Sequence, residues 1–235
     1  MNINLKNMSL LALLLAVPII AGAQSVMDLC KKNVEDLGGK SAVETVKSLK
    51  ITQVGTSQGK NMPMVTILIP GKAYYQKIRT DMGSFTTCVN GNEGWTYTTS
   101  PAPKLNIMPS KMMKSLLIDS KFYGPLYDYY VNGAKADVVT ITNEGHTTID
   151  RENCYKLAVT YKSGYKVTIY LSSLSYMIKK VESVTGIIKY NNYKKIGGVM
   201  IPRYLEISNG NGLVTAVVSK VSVNSKIRND LFARP

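Results

Sequence analysis

The chain has 235 residues, 45% of them hydrophobic, with 29 basic against 15 acidic side chains and a formal charge of +14. That length suits one domain able to bury a core of its own. A single histidine excludes a zinc site built on imidazoles, which needs several nitrogen or sulfur ligands.

Residues 1–23 read as a secretory signal peptide. Lys6 precedes an apolar run from Met8 to Ala21, and Ala21 and Ala23 stand where a signal peptidase reads small residues. The run is too short for a membrane span, and Cys30 lies too far from it for lipid attachment. Residues 24–235 are then expected as a single periplasmic domain and a monomer, with secretion beyond the outer membrane left open. In an exported protein the positive balance points to anionic lipid surfaces or acidic envelope polymers, not nucleic acid. A lysine-rich surface kept soluble by its charge explains it equally well. Cys30, Cys88 and Cys154 show neither metal nor redox-pair spacing, and are expected buried and unpaired.

From Val26 to Leu49 the pattern is helix, glycine stop, helix. Leu29, Val34 and Leu37 share one side of the first helix, and Gly38 and Gly39 end it. Ser41 with Glu44 spells a capping box for the second. From there β-branched runs alternate with turn residues, among them the hairpin dipeptide Asn90-Gly91. In Tyr165–Leu171 the apolar positions recur at every second residue, giving one dry and one wet face. About eleven strands are expected, as an antiparallel meander long enough to curl, with the helices filling its concave side.

The strand series is broken by "PSKMMKSLLIDSKFYGPLYDYY", Pro109 to Tyr130. There Met112, Met113, Leu116 and Leu117 fall on one helical side, with Lys111, Lys114 and Ser115 largely opposite. Phe122, Leu126 and Tyr130 continue an apolar side beyond a break near Gly124-Pro125. Most such helices simply pack into a core. A methionine-rich side also adapts to irregular apolar partners, an acyl chain among them.

Catalytic chemistry finds little support. "GTSQG" matches a nucleophile elbow around Ser57, but a turn and a strand follow where a helix is needed. His146 reads as a turn residue beside Gly145. Asp150 and Glu152 flank Arg151 in an expected turn, a solvated charge cluster. No phosphate-cradling glycine loop occurs. The chain reads as a non-enzyme without a cofactor or metal.

The ordered set "EDLGGKSAVETVKSLKI", "IPGKAYYQKI", "CVNGNEGWTY", "GGVMIPRYLEI" and "NDLFARP" resembles the outer-membrane lipoprotein-sorting proteins, the LolA/LolB-like family, over nearly all of residues 24–235. The resemblance implies an α+β fold: a curved antiparallel sheet forming an unclosed half-barrel, with helices over its concave face and an apolar cavity between. It implies acyl chains of a lipid or lipoprotein as ligand, and Met108, Met112, Met113, Leu116 and Leu117 as part of a lid. Phe122 and Leu126 extend that apolar lining, Trp95 falls on a strand beside it, and Arg79 is the counterpart of a lid-latching arginine. The alternative is a module of the same fold with a filled core, docking another envelope protein through Tyr127, Tyr129, Tyr130 and Tyr165.

Overall fold

The computed structural model describes residues 24–210 and 212–235; the expected signal peptide, residues 1–23, lies outside them. Helix α1 (Val26–Leu37) starts at Ser25, whose hydroxyl accepts from the Asp28 backbone N–H at 3.1 Å. A short polar side chain there satisfies a donor with no partner inside the helix. Gly38 ends α1 at φ 131°. A Cβ at that position would lie 2.3 Å from the Gly198 carbonyl oxygen, so only glycine fits. The chain turns at once into α2 (Gly39–Thr45). Ser41 therefore lies inside α2, and the expected capping box is not made, because Gly38 both closes one helix and opens the next.

Thirteen strands among the described residues, not eleven, form one open antiparallel sheet. They are β1 (Leu49–Ser57), β2 (Lys60–Ile69), β3 (Ala73–Thr80), β4 (Gly83–Asn90), β5 (Glu93–Thr98), β6 (Lys104–Ile107), β7 (Val138–Ile149), β8 (Glu152–Tyr161), β9 (Lys166–Ser172), β10 (Ile178–Ser183), β11 (Gly186–Ile196), β12 (Val199–Asn209) and β13 (Gly212–Val223). Their order is β6-β5-β4-β3-β2-β1-β13-β12-β11-β10-β9-β8-β7. Every neighbour is also a sequence neighbour except at β1 and β13, the seam that joins two meanders. At the seam β13 bulges opposite Thr52 and Gln53. The Arg203 guanidinium covers the bulge, donating to the Val218 carbonyl at 2.9 and 2.6 Å.

His146 is not in a turn: β7 runs through it, bulging between Asn143 and His146, where the positive φ of Gly145 absorbs the irregularity. Asp150 and Arg151 do form the expected turn, both at positive φ. Asp150 is held by Lys189 at 2.9 Å and Glu152 by Lys179 at 3.1 Å.

Helices α3 (Ser110–Asp119) and α4 (Gly124–Asn132) connect the two meanders. Alternation along the strands assigns each row of side chains to a face. Leu68, Tyr74, Val89 and Gly94 form one row across β2–β5, and Ile67, Tyr75, Cys88 and Trp95 form the next, on the opposite face. Leu68 and Tyr74 pack with Val34, Leu37 and Val43 of α1 and α2 and with Tyr127 of α4. Leu29 of α1 and Leu126 of α4 pack on Leu157, Ile169 and Leu171 of β8 and β9. The helices thus fill the concave face. On the convex face a smaller cluster of Ile67, Tyr75, Cys88 and Trp95 is covered by Ile227, Leu231 and Phe232 of the C-terminal segment.

Candidate functional site

α3 differs from the other apolar helices in what lies beneath it. α1 and α4 each bury a core stripe, whereas no residue of α3 is fully buried. It sits over β3, β4 and β5, and contact is closest at Gly94, where a Cβ would come within 2.6 Å of Met113 Cγ. Its C-terminal end is pinned to the β2–β3 turn by Ser120: the Gly71 backbone N–H donates to its hydroxyl at 2.8 Å, and that hydroxyl donates to the Leu117 carbonyl at 2.7 Å.

The α3–α4 junction is held by a buried polar hub. The Asp128 carboxylate, 2% exposed, accepts from Lys121 at 2.9 Å, Asn132 at 2.6 Å and the Asp137 backbone N–H at 2.7 Å. Lys121 also reaches Asp137 at 2.7 Å. Burial alone would raise the Asp128 carboxyl, but these hydrogen bonds outweigh it and hold it below the usual carboxylate range. Burial likewise opposes the Lys121 charge, and its bonds to Asp137 and Asp128 lift it above the ordinary lysine value.

Between α3 and the β8–β9 turn runs an open groove of about 530 Å³, lined by Gly71, Lys114, Leu117, Ile118, Lys121, Asp137 and the segment from Tyr161 to Ser163. Further along the concave face two rows of side chains line up: Tyr190, Leu205, Ala216, Gly55 and Met62, then Ile188, Ile207 and Val214. Met62, Ile188, Leu205, Ile207 and Val214 are half-buried, and among the described residues none of these five belongs to a helix-packed cluster. The concave wall is therefore apolar and open to water beyond the helices.

Asp119, the last residue of α3, keeps access to water, yet the protein packed around it disfavours the charged form and pushes its carboxyl up to about 6. Burial also lifts the inward-facing phenols of Tyr74, Tyr161 and Tyr190, and the Asp119 charge adds to the rise in all three. A carboxyl raised by folding contributes stability while protonated, fully below its unfolded value, and loses that contribution as pH rises through the folded one. Asp119→Asn is expected to raise Tm at about pH 7.5 and leave it unchanged at about pH 3. Equal shifts at both pH values would show that Asp119 titrates normally.

The structure separates the residues that the sequence grouped. Met113, Leu116 and Leu117 are half-buried on α3, and Met108 is buried just before it. Met112 points outward and is 49% exposed. Leu126 is fully buried core and Phe122 packs against the core of α1, α2 and β12. Trp95 lies on the convex face, where its indole N–H donates to the Phe232 carbonyl at 3.4 Å, on the side of the sheet away from α3. Arg79 shares the parity of Tyr75 and is exposed on that same outer face; it cannot latch α3. The fastening there is the Lys121–Asp128–Asp137 hub, which sequence reasoning missed. Ser57 donates to the Leu213 carbonyl at 3.2 Å, and the His146 ring meets Tyr155 at a tilt on another part of the sheet. Tyr127 is buried, and Tyr129, Tyr130 and Tyr165 pack against the cores, leaving little of the expected tyrosine docking surface. All three cysteines are buried and unpaired, and burial pushes the Cys30 and Cys88 thiols up to about 12.

No family model matches the chain and no curated protein matches it in sequence. Solved structures do match it in fold. An outer-membrane lipoprotein-sorting protein domain from Vibrio parahaemolyticus superposes with a TM-score of 0.55 at 13% identity, over 87% of this chain and 95% of that one. A DUF1329 family protein from Desulfovibrio piger gives a TM-score of 0.53 at 12% identity, over 88% and 95%. A LolA superfamily protein from Nitrosomonas europaea gives 0.51 at 14% identity, over 87% and 97%. Over most of its described length, this chain has the fold of the LolA-like lipoprotein-sorting proteins.

Proposed function

We propose that the protein is a periplasmic, non-catalytic carrier that binds acyl chains of a lipid or lipoprotein between α3 and the concave face of the sheet. The observation that carries this reading is the mismatch between α3 and what it covers. An amphipathic helix with no buried residue borders an open groove, and elsewhere the same concave face carries half-exposed Met, Ile, Leu and Val side chains that no helix covers. A water-facing apolar wall of this kind is unfavourable, and each buried CH₂ of an acyl chain recovers about 0.8 kcal/mol. Met108, Met113, Leu116 and Leu117 supply the lid, and the hub at Lys121 is its fixed end. The fold shared with lipoprotein-sorting proteins supports the same reading.

Leu117 lines the groove without being core, so its side chain tests the site. Leu117→Asp removes the burial of one aliphatic side chain, about 1.5–3 kcal/mol, and is expected to weaken a fluorescent acyl probe roughly 10- to 100-fold. The melting transition should stay close to that of the wild type. The reading fails if the protein neither releases an acyl species into organic solvent nor takes up the probe.

A further inference from the structure

We infer that the groove beneath α3 selects acyl ligands with an anionic head, an oxyanion held between Lys114 of α3 and Lys162 of the β8–β9 turn. This rests on the acyl-binding reading and adds a head-group preference to it.

The charges that line the groove are unequal in their availability. Lys121 is 14% exposed at its side chain and spans two carboxylates, Asp128 and Asp137, at 2.9 and 2.7 Å. One lysine between two carboxylates leaves this hub at net −1, and Asp137, 43% exposed at its side chain, also lines the groove, so Lys121 acts as a strut and only the other two lysines give the groove a positive excess. Asp128 is saturated by that lysine, Asn132 and two backbone N–H groups. Lys114 and Lys162 face the same groove from opposite walls, and both are exposed. Among the described residues, the Lys162 ammonium donates to a neutral acceptor, the Ala134 carbonyl at 3.1 Å. Leu117, Ile118 and Tyr161 line the same groove. Two exposed cations and an apolar wall in one groove are the chemistry of an anionic head and its tail. A long flexible lysine keeps its ammonium in water while its methylenes lie on apolar surface, so each of the two can meet a head at the mouth without being desolvated.

Carboxylate and phosphate heads share this chemistry, and a free anion does too. The test uses the whole domain, residues 24–235, and displacement of a fluorescent acyl probe by four competitors: palmitate, lysophosphatidic acid, lysophosphatidylcholine and inorganic phosphate. The two anionic amphiphiles are expected to bind about fivefold or more tighter than the zwitterionic one. That preference should vanish in Lys114→Glu/Lys162→Glu and shrink in about 0.5 M salt, while lysophosphatidylcholine binds both proteins alike. Lys114→Gln/Lys162→Gln, which adds no negative charge, should lose the preference too, and a melting curve checks the fold of each. Equal affinities in the wild type, or a preference that survives both double variants, overturns the inference while acyl binding stands. Competition by inorganic phosphate alone overturns the lipid assignment of the two lysines. If no amphiphile displaces or replaces the probe, the acyl-binding reading falls first and takes this one with it.

Discussion

Asp128→Ala should destabilise the fold by about 3–5 kcal/mol, the cost of stripping one partner from a buried ion pair. At this chain length that corresponds to a fall in Tm of roughly 6–20 °C. The size follows from what is left behind. Lys121, mostly buried, keeps only Asp137, and the Asp137 and Val138 backbone N–H groups lose the carboxylate that accepts from them. Asp128→Asn should cost less, since an amide oxygen can still accept from the backbone. The effect depends on pH in a stated direction. The folded carboxyl lies below its ordinary value, so its stabilisation is complete above about pH 4 and is lost as pH falls through the folded value. The wild-type and Asp128→Asn melting curves should therefore converge on acidification and separate at neutral pH. Curves that stay parallel from neutral to acid would remove Asp128 as the source.

Deleting residues 226–235 should unmask the convex cluster. The segment lays Ile227, Leu231 and Phe232 over Ile67, Tyr75, Cys88 and Trp95. Phe232 meets the Tyr75 ring edge-on at 6.3 Å, its carbonyl accepts from the Trp95 indole, and Arg234 reaches Glu93 at 3.5 Å. Three partly buried apolar side chains together contribute about 2–4 kcal/mol. Trp95, the single tryptophan, reports the loss directly, because its emission should shift to that of a water-exposed indole. Cys88 reports it chemically. Burial pushes its thiol up to about 12, and exposure should return it towards the ordinary value, where a thiol reagent can modify it at mildly alkaline pH. The intact domain should show none of its three thiols reactive without denaturant, and the shortened one should show Cys88 alone. A Cys88 that stays protected would mean the segment does not shield it.

The strands and α1 were legible in the sequence because their signals are local. Alternation in β9, Asn90-Gly91 at the end of β4 and Gly38 after α1 each act within a few residues. β6 was not legible: four residues behind Pro101 and Pro103, all exposed, carry no alternation to detect. His146 was read as a turn because Gly145 marks irregular backbone, and a bulge uses the same glycine freedom that a turn does. Trp95 and Arg79 failed for another reason. Period-two spacing sorts residues onto two faces but does not say which face is concave, and a C-terminal cluster on the convex side makes both faces apolar around Trp95. The Lys121 hub joins residues seven and sixteen positions apart, and only the turn at Ser120–Tyr123 brings them together. The half-exposed character of α3 was equally hidden, because its spacing is that of any amphipathic helix.

The seam between β1 and β13 has a consequence for how the chain is assembled. Each meander is built from hairpins of neighbours, so most of the sheet can form from short-range contacts while the rest of the chain is still arriving. The centre of the sheet cannot. It needs the first strand and the last, and closing that large loop is the slow, entropically costly step. Until β13 is available, β1 and β12 each offer a raw edge with unpaired backbone donors and acceptors, of the kind that recruits other strands. Circularly permuted chains that open at the β6–α3 link and join the natural ends make the seam local, and are expected to fold faster than the wild type with the same sheet.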